Sequence, residues 1–244
     1  MNRVVIGAEL QHPTRRLVSV EDWFGDKYLL DKLVNSLAKR RCMNLKEITE
    51  SVEFFARTRK LVRSSGSPVV ADLCCGHGLV GMLFAMMERC VTSVLLVDKR
   101  KPKNYSRVAE ALGEIAPWAL EKICFQEQLL SDTVLPEGTS VVAVHACGDR
   151  TDDCVQLAVA GRGSVAFMPC CYSGNLRGCV PMAVVGALGK GLSTDCFRTR
   201  RLVESGYEVS WSAVPASVSK KNRIVLGRPV LVSKMREKDL DALE

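Results

Sequence analysis

The sequence predicts an α/β fold: a mostly parallel seven-stranded sheet with helices on both faces, an antiparallel last strand and an N-terminal helical extension. Short β-rich runs alternate with helical stretches from Val69 onward, which is the pattern of a parallel sheet. The last two β-rich runs lie close together, as in a hairpin. The 244 residues are 47% hydrophobic, which is enough apolar material for one substantial core.

The N-terminal part of the chain is predicted to be helical. Apolar residues recur at helical spacing across residues 21–63. The turn-like residues 64–68, SSGSP, then interrupt the pattern. We therefore predict a helical extension at residues 1–66 and a second unit at residues 67–244.

Seven strands and four helices are predicted in the second unit. The strands are residues 69–73, 93–97, 122–125, 141–145, 164–168, 207–214 and 224–232. The helices are residues 79–89, 103–115, 152–160 and about 193–205. Because the basic, turn-like residues 215–222 join the last two strands, we predict a hairpin that places one antiparallel strand at the end of the sheet.

The formal net charge of +7 favours a polyanionic partner without identifying one. Basic residues recur in short groups in predicted loops and at helix ends, for example at residues 15–16, 39–41, 99–101 and 220–223. Such groups are typical of phosphate contacts and, alternatively, of a solvated surface.

Eleven cysteines do not indicate a disulfide framework, because the number is odd and Cys90, Cys124 and Cys154 lie in apolar runs. In a reducing compartment such residues act as small core side chains. Apolar runs stay below the roughly 18 residues of a membrane span, and the first residues have no signal-peptide pattern. We expect an intracellular, cytoplasmic protein without membrane contact.

The strongest local feature is residues 69–78, VVADLCCGHG. An apolar strand carries Asp72 near its end, a tight loop with Gly76 and Gly78 follows, and a helix starts near Leu79. Glycine lets the backbone approach a ligand closely, and a helix N-terminus stabilises an anion. Asp72 suits an ammonium group. The loop therefore predicts a binding site for a ligand that carries an amino acid moiety.

A second acid, Asp98, ends the next strand, where an acid suits the ribose hydroxyls of an adenosine cofactor. We favour S-adenosylmethionine (SAM) because the acid precedes the loop as D-x-x-x-G-x-G. NAD stays open, since Gly76, Gly78 and Gly81 formally give G-x-G-x-x-G. Adenine is placed near residues 126–128. The full set of predicted cofactor contacts is Asp72, Cys74, Gly76, Gly78, Asp98, Lys99, Gln126, His145 and Cys147.

Two further polar segments follow the fourth and fifth strands: residues 145–149, HACGD, and residues 170–172, CCY. Ligands bind at this edge of open α/β sheets. Together with Asp72, Gly76 and Gly78, these motifs resemble the class I SAM-dependent methyltransferases that include eukaryotic tRNA acceptor-stem 2′-O-methyltransferases and related methyltransferase-like proteins. The resemblance covers residues 69–173, with residues 222–229 similar to the family's last strand, and it implies a Rossmann-like domain that uses SAM.

The chain departs from that group in two ways. Cys74 stands in place of the first loop glycine, and the zinc-finger extensions of the tRNA enzymes have no counterpart in the sequence. The first departure indicates a different backbone conformation at the start of the loop. The second argues against acceptor-stem tRNA as the substrate.

Four residues are candidates for catalysis: His145, Cys170, Cys171 and Tyr172. His145 suits a general base or a substrate-orienting group, or a structural clamp hydrogen-bonded to the neighbouring loop. Tyr172 suits stacking on a base or packing on the sheet edge. Asp149 suits a ligand contact or, together with Asp152, the start of the next helix.

Three interpretations compete for Cys170 and Cys171. One is a thiolate nucleophile for pyrimidine methylation. Another is a zinc site with His145 and Cys147, for which adjacent cysteines are awkward around one tetrahedral ion. We favour the third, in which two small side chains line the pocket floor, and we predict no metal.

The Gly-rich apolar residues 174–192 suit either a mobile lid over the substrate or an ordinary helix with a loop. The combined features predict a SAM-dependent methyltransferase acting on RNA (tRNA or rRNA), at a hydroxyl or a base nitrogen. The alternatives are a small-molecule or protein methyltransferase and a non-catalytic SAM- or RNA-binding scaffold.

Overall fold

The computed structural model describes residues 27–172 and 180–230. Within these residues the strands are β1 (Val69–Leu73), β2 (Ser93–Asp98), β3 (Ile123–Glu127), β4 (Ser140–Val144), β5 (Val165–Met168), β6 (Tyr207–Ala213) and β7 (Arg223–Pro229). The helices are α1 (Leu29–Arg40), α2 (Leu45–Ser65), α3 (Leu79–Met87), α4 (Tyr105–Ile115), α5 (Pro117–Leu120), α6 (Asp149–Ala160) and α7 (Met182–Glu204), and Leu130–Asp132 form a 3₁₀ turn.

The seven strands form one sheet in the order β3-β2-β1-β4-β5-β7-β6. The first five strands pair in parallel, and β7 is antiparallel to both of its neighbours. The predicted fold class and terminal hairpin are confirmed. The predicted place of the antiparallel strand at the end of the sheet is wrong, because β7 lies inside the sheet and β6 forms its edge.

The residues of the two hairpin strands explain this order. In β7, residues 224–227 are buried without a break, as an interior strand requires. In β6, four of the seven residues are exposed, and Trp211 keeps 39% of its surface exposed. A strand with one polar face is stable at an edge, so the more apolar strand takes the interior place.

The helical region before β1 packs into the same core as the sheet. Helix α2 begins after Asn44, whose side chain accepts a 2.8 Å hydrogen bond from the Glu47 N–H, and it ends at Gly66 with φ +72°. The rings of Phe55 and Phe84 meet edge to face at 5.0 Å, which joins α2 to α3.

Helix α3 is strongly apolar, and eight of its nine residues are buried, because it lies between α2 and the sheet. No helix among residues 27–172 and 180–230 is both long and apolar enough to cross a membrane.

Three predicted helix boundaries are corrected. The predicted helical run at residues 21–63 is two helices, because Arg41 adopts φ +49° and ends α1; residues 21–26 lie outside the described residues. Helix α6 starts at Asp149, three residues before its predicted start. Helix α7 starts at Met182 and bends at Gly189 (φ 73°, ψ 156°). The described part of the predicted lid is therefore mostly helical, whereas residues 174–179 lie outside the described residues.

Candidate active site

The loop between β1 and α3 takes its shape from residues in the left-handed region. Cys74, Gly76 and Gly78 have φ of +55°, +53° and +75°. A Cβ on Gly78 would lie 2.6 Å from Leu96 Cδ1, so this position requires glycine for both conformation and space. A Cβ on Gly76 would meet nothing within 4 Å. The loop therefore packs tightly against β2 at Gly78 and borders open space at Gly76.

Hydrogen bonds tie this loop to the end of β2. The Cys75 N–H donates to the Val97 carbonyl (3.1 Å), and the Gly76 N–H donates to Asp98 Oδ2 (2.9 Å). The Gly78 N–H closes the turn on the Cys75 carbonyl (2.8 Å). Asp98 is only partly buried. The two parts of the predicted cofactor site, the glycine loop and the second acid, are therefore joined directly.

Asp72 lies beneath the loop. Its side chain is almost fully buried, and its Oδ2 accepts the Gly81 N–H at 2.8 Å. Burial raises the pKa of this carboxyl to about 7; the Gly81 hydrogen bond opposes the rise and the charge of Asp98 adds to it. Asp72 thus holds the first turn of α3 against β1, and its predicted ammonium contact stays a prediction.

The thiol of Cys74 is directed at helix α6. It shares a hydrogen bond with the buried thiol of Cys154, and this bond, opposed by burial, lowers the pKa of Cys74. The departure from the family's loop glycine is accommodated by a left-handed Cys74 whose side chain packs under the sheet edge. The predicted cofactor contact of Cys74 stays a prediction.

The residues predicted near adenine lie at the end of β3, next to β2. Gln126 pairs with Val97 across the strands, and its Oε1 accepts a hydrogen bond from Gln128 Nε2 at 3.3 Å. Glu127 accepts the Lys101 N–H at 2.7 Å, and Lys99 is exposed. This part of the predicted site is polar and adjoins Asp98.

His145 is held by a residue that the sequence did not indicate. Its Nε2 lies 3.1 Å from Oε2 of Glu50, a side chain of α2 that is 1% exposed. Burial raises the pKa of Glu50, but the hydrogen bonds from His145 and Ser219 and the charges of His145 and Lys46 together outweigh burial, so the pKa is lowered overall. Glu50 is therefore a carboxylate, and Nε2 carries the hydrogen because a carboxylate only accepts.

This bond leaves Nδ1 of His145 as the ring nitrogen without a partner among the described residues. Nδ1 is itself buried. The backbone of His145 is in the left-handed region (φ 64°), and its N–H donates to the Met168 carbonyl at 3.1 Å. His145 is hydrogen-bonded, as in the structural-clamp alternative, but its side chain binds Glu50 of α2 and not the neighbouring loop. The one signal for Glu50 in the sequence is an acid within the apolar periodicity of α2.

Three thiols converge where β4 and β5 end. The Sγ atoms of Cys147 and Cys170 lie 2.8 Å apart, and those of Cys147, Cys170 and Cys171 all lie within 4.8 Å of one another. Burial raises the pKa of Cys170 to about 12, and the neighbouring thiols add to the rise. A thiol with so high a pKa is a weak nucleophile at neutral pH, which does not favour the nucleophile interpretation for Cys170.

The hydroxyl of Tyr172 is engaged in an ion-pair network. It donates to Asp195 Oδ2 (2.6 Å) and accepts from Arg223 Nη2 (3.1 Å), and Arg223 Nε also donates to Asp195 (2.8 Å). Asp195 is fully buried. Burial and the Asp195 carboxylate raise the pKa of Tyr172 above its usual range. Tyr172 therefore anchors its loop to α7 and β7, and Asp195 and Arg223 were not indicated by the sequence.

Helix α6 starts without a side-chain cap. Its N-cap is Gly148, and the Oδ1 of Asp149 is buried without a hydrogen-bond partner in the described residues. The predicted capping role of Asp149 is therefore wrong, because Gly148 occupies the N-cap position. Asp152 instead makes a bidentate pair with the buried Arg198 (3.1 and 2.9 Å), and Arg198 also donates to the Gly148 carbonyl (2.9 Å).

Comparison with known proteins identifies the family. A family model described as a methyltransferase domain matches residues 43–176, more than half of the chain. The chain belongs to this methyltransferase domain family. The match begins just before α2, so the family's domain includes the helix that carries Glu50.

Individual relatives are distant. A glutathione S-transferase C-terminal domain-containing protein from Xenopus laevis is 33% identical over 104 residues; the match covers 42% of this methyltransferase domain chain but only 16% of that protein. A structure from Klebsiella pneumoniae assigned as an O-methyltransferase has a TM-score of 0.53 at 12% identity and covers 85% of this chain and 91% of that one. The methyltransferase domain of bacterial CtHen1-C has a TM-score of 0.49 at 13% identity, covering 72% and 97%. The Klebsiella likeness supports the Rossmann-like methyltransferase fold.

Proposed function

We propose that this methyltransferase domain binds SAM at the carboxyl ends of β1 and β2 and transfers a methyl group to RNA. The observation that carries the proposal is the Gly76 N–H to Asp98 bond beside open space. The site fits the cofactor: amides at the start of α3 suit its carboxylate, Asp98 suits the ribose and Gln126 suits adenine. Bound SAM supplies an electrophilic methyl group on a sulfonium centre. Contacts from Lys99, His145 and Cys147 stay predictions.

The residues of the chain contribute mainly by positioning. Parallel β1, β4 and β5 end at one edge of the sheet, so the loop, His145 and the thiols face the same region. In our proposal, Glu50 holds the hydrogen on Nε2 of His145, and the partly exposed ring orients the substrate nucleophile. Alignment of a nucleophile with a bound methyl donor supplies most of the rate in such transfers.

RNA is favoured as the substrate by the charge around this edge. Residues 99–101, KRK, are exposed immediately after Asp98. Lys220 and Lys221 are exposed on the other side, where the Lys221 Nζ lies 6.0 Å from the Tyr172 ring centroid. Basic groups that flank a site on both sides suit a phosphate backbone running across it.

SAM binding is tested by calorimetry. We expect wild-type protein to bind SAM, and the Asp98→Asn variant to bind it more weakly because one ribose acceptor and the bond to the loop are both weakened. Asp132→Asn, an exposed acid in the 3₁₀ turn, serves as the matched control. If wild-type protein binds no SAM at high micromolar concentration, the enzyme proposal fails and the scaffold alternative takes its place.

The RNA proposal is tested by salt titration of tRNA and rRNA-fragment binding. The double variant Lys220→Ala/Lys221→Ala should lower the salt slope by about one for each phosphate that the two lysines neutralise in the wild-type complex. Lys60→Ala is the control, since Lys60 is exposed on α2 towards the opposite sheet edge, where Ser65 contacts Ser140 at the start of β4. Labelled methyl groups from SAM should enter cellular RNA; label found only in protein or metabolites excludes RNA.

The role of Glu50 gives a direct test of the catalytic arrangement. Glu50→Gln removes the carboxylate that orients His145, and we expect methyl transfer to fall at least about tenfold while SAM binding stays unchanged. Glu53→Gln, three residues along α2 and paired with Arg57, should leave the rate near wild type. Equal rates for both variants would show that the Glu50–His145 pair has only a structural role.

A further inference from the structure

The three-thiol cluster of Cys147, Cys170 and Cys171 carries an inference that is independent of the proposed function. The sequence argued against a metal here because adjacent cysteines are awkward ligands for one ion. The structure removes that objection, since the chain leaves β5 at Met168 and turns so that both sulfurs approach Cys147.

We propose that Cys147, Cys170 and Cys171 bind one thiophilic metal ion, Zn²⁺, at the carboxyl ends of β4 and β5. Two sulfurs on a tetrahedral zinc ion lie about 3.8 Å apart, because Zn–S bonds are about 2.3 Å. The closest sulfur pair in the cluster is 2.8 Å apart and all pairs lie within 4.8 Å. The required spacing falls inside this range, so small side-chain rotations bring the sulfurs to it.

The framework around the sulfurs is rigid. Cys147 and Cys170 follow adjacent parallel strands whose last pair is Val144 with Met168, and the bond from the His145 N–H to the Met168 carbonyl continues this pairing into the loops. The two loops thus keep a set spacing before any ion binds. Pre-arranged ligands lose less conformational freedom on binding, which favours affinity.

The three cysteines are accessible to an ion from solvent. Cys147 lies two positions before the first residue of α6. All three cysteines are half-buried, so an ion can reach them while water is partly excluded. Each thiol releases its proton to solvent when it coordinates the ion.

The ligand set selects the metal. Three sulfurs favour soft ions such as zinc over magnesium or calcium, which bind oxygen. Three protein ligands also leave one tetrahedral position open. His145 is outside the cluster, since the groups that converge within 4.8 Å are the three cysteines alone among the described residues. The sequence analysis considered a zinc ligand set that included His145. In our proposal the ligands are the three thiols alone.

The experiment uses the full chain, reduced with a phosphine and freed of metal by a chelator, and titrated with Co²⁺. We expect one equivalent of Co²⁺ to give thiolate-to-cobalt charge-transfer absorption that Zn²⁺ abolishes. We expect Co²⁺ binding to weaken at least about tenfold in each of the variants Cys147→Ser, Cys170→Ser and Cys171→Ser. Loss of a group that only supports a metal ligand already weakens binding by about this factor, and loss of a ligand should cost no less. Cys90→Ser and Cys196→Ser, which remove exposed thiols, should bind as wild type.

Circular dichroism of each metal-free variant separates loss of ligand from loss of fold. The proposal is overturned if wild-type protein gives no charge-transfer band. It is also overturned if the band persists in the triple serine variant, because the ion then binds elsewhere. A third contrary result is a Cys147–Cys170 disulfide that persists after phosphine treatment, seen as a mass two hydrogens lower with two fewer titratable thiols.

Discussion

At the scale of single residues, unusual backbone conformations occur at the candidate active site and at two turns elsewhere. Four non-glycine residues in the described ranges have positive φ, and two of them, Cys74 and His145, belong to the site. Each such residue costs about 1–2 kcal/mol relative to an ordinary conformation. The packing of Cys74 on α6 and the bond from His145 to Glu50 offset that cost. Strained backbone is thus present in two loops of the candidate active site.

Gly78→Ala tests the glycine loop. The new methyl group would clash with Leu96 and would have to be accommodated at φ +75°, so we expect a stability loss of more than about 1 kcal/mol and strongly weakened SAM binding. Gly138→Ala is the matched control: its φ is +74°, but a Cβ there meets nothing within 4 Å. Denaturant unfolding and calorimetry measure both variants. If Gly138→Ala weakens SAM binding as much, the loop is not specifically required.

Asp72 predicts a pH dependence of stability. Its pKa is raised from the usual 3.8 to about 7 in the folded protein, so the folded state keeps a proton that the unfolded chain releases between these values. This group therefore makes the protein less stable as pH rises from about 4 to 7, by up to about 4 kcal/mol. Compared with Asp72→Asn by urea unfolding without SAM, wild-type protein should lose relative stability over that range. A constant difference between the two proteins would contradict the raised pKa.

At the scale of elements, a buried ion pair joins α6 to α7. Arg198 is 1% exposed and binds both oxygens of Asp152 and the Gly148 carbonyl. Near it, Asp195 links α7 to Tyr172 and Arg223 of β7. Two of these contacts reach the loops that follow β4 and β5, at Gly148 and Tyr172. Arg198 and Asp195 of α7 therefore hold these two loops in place, although neither residue lies in a recognisable motif.

Arg198→Met tests this support. Removing the guanidinium leaves Asp152 as a buried, unpaired charge, and we expect a loss of about 3–5 kcal/mol in unfolding free energy. Arg200→Met removes an exposed pair with Glu204 on the same helix and should cost less than about 1 kcal/mol. Guanidinium unfolding compares them. Similar small losses in both would mean that the buried pair does not hold α6 and α7 together.

At the scale of the whole molecule, the helices before β1 and one face of the sheet share a hydrophobic core. Side chains of α1 and α2 belong to the same buried cluster as those of α3 and the sheet. The Glu50–His145 bond adds a polar link between α2 and the site. Among the described residues, side chains on both sides of residue 66 thus pack together, and the division into two units stays a prediction.

Phe54→Ala tests this unity, because Phe54 on α2 is fully buried. We expect one cooperative unfolding transition shifted by about 3–5 kcal/mol. Lys60→Ala, on the same helix and exposed, should shift it by less than about 0.5 kcal/mol. Two separate transitions, with only one moved by Phe54→Ala, would show that the helical region folds as its own unit.

The sequence by itself determined the succession of elements along the chain: seven β-rich runs, the glycine loop with Asp72, the acid at Asp98 and the terminal hairpin. These features are local, because periodicity and turn residues act over a few positions. The order of β7 and β6 in the sheet is not local, since it depends on which strand best fills the interior.

The tertiary structure alone decided which distant side chains meet. Glu50 binds His145 across 95 positions, Arg223 binds Asp195 across 28, and Cys147 meets Cys170 across 23. Nothing in the spacing of these residues indicates that they meet, because each pairing depends on how a helix or strand packs against another. Local patterns specify the elements and the glycine loop after β1, whereas packing specifies which nitrogen of His145 is bonded and the convergence of three thiols.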